Sequence, residues 1–291
     1  MNTNRRFQYF SIGLIWIWLG IFACIPILLV LATSLLSHRV DTDFIQLHLT
    51  LENYIGLIDT VYLKIFLHSF YLSGSVTLLC LILGYPFSYI LARMEPKFRG
   101  ILLLLVIIPF WTSSLIRTYA IVILLKAKGI LNALFIYLGI IHQPLQLLYT
   151  NTAVLIGLAY TLLPFMILPL YANIEKLDTE LLDAARDLGA SRLRLFFKII
   201  LPLTWSGILA GCMLVFLPAM SMFYIPDLLG GAKSMLVGNL IEDQFLAAHN
   251  WPSGSAVSII LTLLMGLLLG IYWYTASSGG DSKNKTEPAF L

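Results

Sequence analysis

Apolar residues in this chain come in long blocks, not in the short alternations of a soluble fold. A helix needs about 20 mostly apolar residues to cross a bilayer. Six blocks reach that length, within residues 7–36, 66–92, 100–125, 152–174, 203–225 and 255–273. A seventh apolar patch, 129–139, is short and reads as an interfacial helix or a re-entrant element. Most blocks carry internal Pro or Gly: Pro26, then Gly84 and Pro86, Pro109, Pro164 and Pro169, and finally Gly207, Gly211 and Pro218. Such residues are tolerated in a membrane where neighbouring helices or water satisfy the freed backbone groups, and they are expected where helices bend around a pathway. The pattern predicts an all-α integral membrane protein with six transmembrane helices. Residues 1–276 form its membrane domain, and residues 277–291, rich in Gly, Ser and Lys, form a disordered tail.

Composition agrees. The chain is 59% hydrophobic and 11% charged, where soluble chains carry roughly 25% charged residues. The formal net charge of +3 matters less than where the charges lie. With the N-terminus inside, twelve of the eighteen Lys and Arg fall on inner segments, five fall on outer loops, and Arg117 is left inside the third block. The positive-inside rule therefore puts both termini in the cytoplasm. Arg5-Arg6 ahead of an apolar run resembles a secretory leader. That run is too long for one and lacks a small-residue cleavage site, so it reads as a retained first helix. Basic residues form no stripe with interleaved aromatics, which excludes a nucleic-acid surface. Cys24, Cys80 and Cys212 lie in separate apolar blocks and read as buried thiols. The five histidines fall in outer loops or at span ends. No nucleotide-binding loop, zinc helix or Ser/His/Asp constellation is present, so the chain reads as no enzyme.

One polar stretch, residues 178–202, interrupts the membrane pattern. Asp178 or Thr179 can cap a helix, with Glu180 and Asp183 in its first turn, where negative charge suits the dipole. Leu181, Ala184, Ala185 and Leu188 recur at helical spacing and give a narrow apolar face. Gly189 stands where that helix stops. Ser191 can cap a second helix carrying Arg192, Arg194 and Lys198. Periodicity alone also fits an amphipathic loop lying in the membrane interface.

The spacing goes further. Asp183-Ala184-Ala185, three residues, Gly189, nine residues, Ile199, one residue, Leu201-Pro202 resembles the EAA signature of ABC importer permeases, with Asp183 in place of Glu. Other strings are similar to the spermidine/putrescine permeases of that family: Ile108 to Thr112, Leu115 to Tyr119, Leu168 to Tyr171, Leu217 to Met220, Phe223 to Leu228, Gly230 to Lys233 and Asn250 to Pro252. The resemblance implies a MetI-like type I importer permease in the bacterial inner membrane. Its partners would be a second homologous permease (PotC-like), two copies of a cytoplasmic ATPase (PotA-like) and an extracytoplasmic polyamine-binding protein (PotD-like). ATP and Mg would be held by the ATPase. Asp183, Ala184, Ala185, Arg186 and Gly189 would couple ATPase motion to alternating access.

Candidate substrate-path residues follow from polyamine chemistry. A chain of ammonium groups is held by carboxylates and by aromatic faces. Trp111, Tyr119 and Tyr160 lie in spans, Phe223, Tyr224 and Asp227 lie at the outer end of the fifth, and Asp243 follows Glu242 in the next outer loop. Arg117 in an apolar span is a functional candidate by cost, or it snorkels from the outer part of the bilayer, roughly 25 Å along an unbroken helix from Gly100. The aromatics also fit an interface belt. Within the class, another small solute remains open. An ATP-independent secondary transporter would need carboxylates deep in a span, and none is present. A membrane scaffold leaves the EAA register unexplained.

Overall fold

The computed structural model describes residues 2–38, 45–231 and 234–280. Lys233 and the tail from residue 281 lie outside them. The first tail residues, 277–280, are helical. Two compact units emerge, Met1–Lys64 with Leu240–Met265, and Ile65–Asn239 with Gly266–Leu291.

The first unit opens with α1 (Asn2–Leu19), a π-helical turn (Gly20–Cys24) and α2 (Ile25–Ser34) in one run. Pro26 follows the turn and has no N–H for the carbonyl of Phe22, a local reason for the wider register. Trp16, Trp18, Phe22 and Leu28 are exposed, as is Cys24, contrary to a buried thiol. A helix apolar all round needs lipid or another protein about it. Then come β1 (Leu36–His38) and β2 (Ile45–Leu49), antiparallel, with Leu36 opposite Leu49 and His38 opposite Ile45 across an irregular register. This hairpin is a small departure from the all-α expectation. Next is α3 (Glu52–Gly56). Ser34 is fully buried, its Oγ 2.7 Å from the Tyr54 hydroxyl. Asn53 Nδ2 donates to the Ser34 and Leu36 carbonyls. Thr33 Oγ1 meets Ser255 Oγ at 2.7 Å.

The second unit follows the chain through α4 (Thr60–Arg93), α5 (Pro96–Ile107), a 3-10 turn (Ile108–Trp111), α6 (Ser114–Leu125), α7 (Ile130–Tyr137), α8 (Asn151–Ile174), α9 (Thr179–Asp187), α10 (Arg192–Leu195), a π-helical turn (Phe196–Ile200), α11 (Leu201–Leu203), α12 (Trp205–Ser221) and α13 (Tyr224–Gly230). The chain closes with α14 (Val237–Glu242), a π-helical turn (Asp243–Ala247) and α15 (Trp251–Gly280).

Helix α8 is the centre of the second unit. Val154, Leu158, Leu162, Met166, Leu170 and Ile174 recur every four residues and are all at most 1% exposed. Rows of this spacing form the ridges that neighbouring helices pack into. The partner rows are made of small residues. On α12 they are Gly207, Gly211, Val215 and Ala219. On α4 they are Val76, Cys80, Gly84 and Ser88. A Cβ on Gly207 would lie 2.6 Å from Asn173 Cβ and 3.2 Å from the Pro169 carbonyl; one on Gly211 would lie 2.7 Å from Met166 Sδ. Gly207 and Gly211 thus form a GxxxG contact of the kind that lets helix backbones approach in membranes. On α4, Ser88 Oγ donates to the Ile167 carbonyl at 3.1 Å and Cys80 Sγ to that of Ala159 at 3.7 Å.

Among the described residues five helices are long and apolar enough to span, or six when Arg192–Leu203 and Trp205–Ser221, bent by 66°, count as one. The third span differs from expectation. Residues 100–125 are not one helix. Pro109 sits in the 3-10 turn and Thr112 is extended at φ −94°, ψ 148°. The stretch long and apolar enough to span is Ser114–Tyr137, which takes in most of the apolar patch read as separate.

Candidate functional site

The polar loop folds from its local chemistry. Asp178 caps α9, its Oδ1 accepting from the Glu180 N–H at 2.9 Å. At the far end Gly189 adopts φ +81°. Its N–H reaches the Arg186 carbonyl (2.8 Å), and the Ala190 N–H reaches that of Ala185 (3.1 Å), the paired bonds of a Schellman stop. Ser191 then caps α10 by accepting from the Arg194 N–H. Arg186 pairs with Asp183 one turn back at 2.6 Å, both exposed.

The anchoring face is not the one periodicity picks out. Leu182 is buried and Ala185 half-buried, whereas Leu181, Ala184 and Leu188 are exposed. At 3.6 residues per turn, Arg186 lies about half a turn away from that exposed apolar face. Helix α9 therefore sits on the protein by Leu182 and offers Leu181, Ala184 and Leu188 outward.

Two contacts fix the loop at its roots. Arg99, on α5, donates from Nη1 to Glu175 Oε1 at 2.6 Å and from Nη2 to the Ala92 and Met94 carbonyls at 3.0 and 3.2 Å. Glu175 caps the C-terminus of α8. One guanidinium thus serves the negative ends of both α4 and α8. Burial alone would lower the Arg99 pKa, but its hydrogen bonds to Glu175 and Tyr171 raise it. At the other root, Thr204 stands at the bend between α11 and α12. Its Oγ1 bonds the Ile200 carbonyl (2.9 Å) and the Tyr85 hydroxyl (3.0 Å). Arg99→Gln is expected to loosen the α8 terminus by removing three hydrogen bonds. Faster amide exchange at residues 171–176, with the rest of α8 unchanged, is the readout.

The other candidates fall on α6, α8 and α13. Arg117 does not snorkel clear of the fold. Its guanidinium carbon lies 5.8 Å from the Phe110 ring centroid and 6.0 Å from that of Tyr160, and its Nε is buried without a hydrogen bond. Phe110 in turn packs edge-on to Phe165 at 5.1 Å. Tyr224 on α13 bonds Ser114 on α6 through their hydroxyls. Helix α13 rides on α8 because Gly157 leaves room for Leu229 and Ile225. Asp227 is exposed in the first turn of α13, a position its charge also favours through the helix dipole. Trp111, Tyr119, Tyr160 and Phe223 are all more than 40% exposed.

The second unit thus brings Arg117 and Tyr160 together, with Tyr224 bonded to the same helix. Asp243 is exposed in a π-helical turn of the first unit. Phe110, Ser114, Thr204 and Arg99 escaped sequence reading. The signals were indirect: Phe110 lies in a string that carries the family resemblance, and Arg99 counts among the inner cations. Among the described residues no group of His, Cys, Asp and Glu could hold a metal ion.

Known proteins resemble this arrangement at two levels. A family model described as binding-protein-dependent transport system inner membrane component matches residues 84–278. The spermidine/putrescine transport system permease protein PotB of Haemophilus influenzae is 53% identical over 270 residues, 93% of this chain and 94% of that protein. PotB of Escherichia coli is 52% identical over 256 residues, 88% and 93%. The inner membrane ABC transporter permease protein YdcU of Escherichia coli is 30% identical over 266 residues, 87% and 84%. Among solved structures, a chain of a bacterial alginate ABC transporter in complex with alginate pentasaccharide-bound periplasmic protein superposes with TM-score 0.75 over 93% of both chains at 15% identity, a likeness of fold.

Proposed function

The chain belongs to the binding-protein-dependent transport system inner membrane components, and from that premise we propose that it is the permease subunit of an ATP-driven importer of spermidine and putrescine. The observation that carries the substrate is the identity of 53% and 52% to two PotB permeases over nearly the whole chain.

In this reading residues 178–202 face the cytoplasm, as do both termini. The exposed Leu181, Ala184 and Leu188 face of α9 seats in a groove of one subunit of a PotA-like ATPase pair, which binds ATP and Mg. A PotC-like permease completes the pathway, and a PotD-like protein delivers polyamine from outside. Closure of the ATPase pair pushes on α9. The Schellman stop at Gly189 and the Leu182 anchor make that helix a rigid lever. The Arg99 clasp passes its motion to the ends of α4 and α8, and the Thr204 elbow passes it to α12. This chain holds no catalytic group of its own.

Polyamine contact falls to the exposed rings of Trp111, Tyr119, Tyr160 and Phe223 and to the carboxylate of Asp227. Arg117 carries the same sign as the substrate. It borders the path as a fixed cation between Phe110 and Tyr160, and Tyr224 braces its helix through Ser114. Asp227→Asn is expected to raise the KM for spermidine about two- to fivefold, the worth of one exposed charge contact. Unchanged uptake kinetics would remove Asp227 from the path.

The test of the whole reading is uptake in a polyamine-auxotrophic host carrying the three partner subunits, with and without this chain. Uptake of labelled spermidine or putrescine that depends on both the chain and ATP is the expected result. A complex that assembles and hydrolyses ATP without admitting polyamine would overturn the substrate and leave the class standing.

A further inference from the structure

Behind the exposed face of α9 lies a second feature. A cleft of about 580 Å³ opens between the polar loop and the end of α4, lined by Tyr89, Arg186, Ala190, Arg192, Leu195 and Phe196, with Ile200 at its base. Its floor is apolar: Leu195 and Ile200 are buried, and Phe196 packs edge-on to Tyr85 at 5.6 Å. Its rim is cationic. Arg186 and Arg192 line it, and the Arg93 guanidinium lies 5.7 Å over the Tyr89 ring. Asp183 neutralises part of Arg186 by one hydrogen bond. A guanidinium has five donors, so both arginines keep donors for an incoming anion.

Position narrows the ligand. Tyr89 and Arg93 end the long apolar helix α4, and Ile200 precedes the apolar run of α12. The cleft therefore stands where two spans give way to charge, the depth at which Tyr and Arg meet lipid headgroups. Its volume exceeds what a phosphate alone fills and lies in the range of small-molecule sites. Arginine forks match phosphate oxygens in pairs. The face open to another protein, Leu181, Ala184 and Leu188, points the other way, so a partner seated there leaves this cleft free.

We propose that the cleft between α4 and the polar loop holds an acidic phospholipid, its phosphate between Arg186 and Arg192 and its upper acyl carbons along Tyr89, Leu195 and Phe196. Such a lipid wedges the lever against the span end and makes its stiffness depend on headgroup charge.

The test is native mass spectrometry of the chain extracted within its native complex and supplied with equal phosphatidylglycerol and phosphatidylethanolamine. The wild type is expected to retain phosphatidylglycerol selectively. Arg192→Gln is expected to lower that retention about tenfold, the worth of one charge-assisted contact. Arg194→Gln, equally basic and outside the cleft, is expected to leave it unchanged. If Arg192→Gln fails to accumulate, Arg186→Gln reads the same rim. Equal retention in the wild type and the cleft variants overturns the proposal, as does equal loss in Arg194→Gln. Labelling of Ala190→Cys, which lines the cleft and leaves both arginines in place, identifies the occupant: protection by phosphatidylglycerol vesicles supports the lipid. Protection by inorganic phosphate alone, or by the ATPase alone, assigns the cleft to a free anion or to a protein side chain and overturns it.

Discussion

Gly211→Leu is expected to reduce the protein in the membrane fraction to a small residue of the wild-type level, with Gly207→Leu close behind. The interface of α8 against α12 closes over these two positions. A Cβ at Gly211 already falls 2.7 Å from Met166 Sδ and 3.3 Å from the Met166 carbonyl; at Gly207 it falls 2.6 Å from Asn173 Cβ and 3.2 Å from the Pro169 carbonyl. Met166 can swing its thioether aside, but the carbonyls belong to the α8 backbone and cannot. Four more heavy atoms force the helices apart and expose the Val154 to Ile174 row, beyond the roughly 1–3 kcal/mol of ordinary overpacking. Gly211→Ala, whose tightest neighbour is the movable sulfur, is expected to accumulate at near wild-type levels. Immunoblots of membrane fractions check the contrast, and normal abundance of Gly211→Leu would contradict the packing.

The second large effect is on coupling. Gly189→Asp is expected to insert normally and to lower polyamine uptake by about tenfold while ATP hydrolysis persists. The reason is backbone, not bulk. Nothing lies within 4 Å of a Cβ at this position, but φ is +81°, a region that costs an ordinary residue about 1–2 kcal/mol and Asp or Asn less. Aspartate also adds negative charge at the C-terminus of α9, where the dipole disfavours it. Gly189→Asn accepts the left-handed conformation more readily and carries no charge, so it is expected to retain most uptake. The ratio of uptake to hydrolysis in proteoliposomes is the readout. Equal defects in the two variants would point to contact at Gly189 instead of to the helix stop.

The polar loop was the part most legible in the sequence, because caps and stops are decided within a few residues. Asp178, Gly189 and Ser191 each do what their side chains dictate. Which face of α9 is anchored was not legible. Leu182 and Leu181 are equally apolar, and only the tertiary fit of the loop against the core selects between them. The third span misled for a similar reason. Pro109 and Thr112 break a run whose hydropathy is continuous, and hydropathy does not see a 3-10 turn. The strands at 36–38 and 45–49 carry little alternation. On α6, the cost of a charge in an apolar span picked out Arg117 as a candidate, but its neighbour Phe110 came from the fold. Nothing in the chain ahead of residue 99 announces that Arg99 will hold the ends of two helices.

The proposed contact with an ATPase is the outward face of α9. Cysteine cross-linking from Leu188→Cys in native membranes tests it most directly. A cross-link to the ATPase subunit that changes yield when ATP is added is the expected result, because in the proposed cycle the contact persists and moves. A Leu188→Cys thiol that stays fully reactive to water-soluble reagents in the assembled, ATP-hydrolysing complex, with no cross-link, would contradict the account.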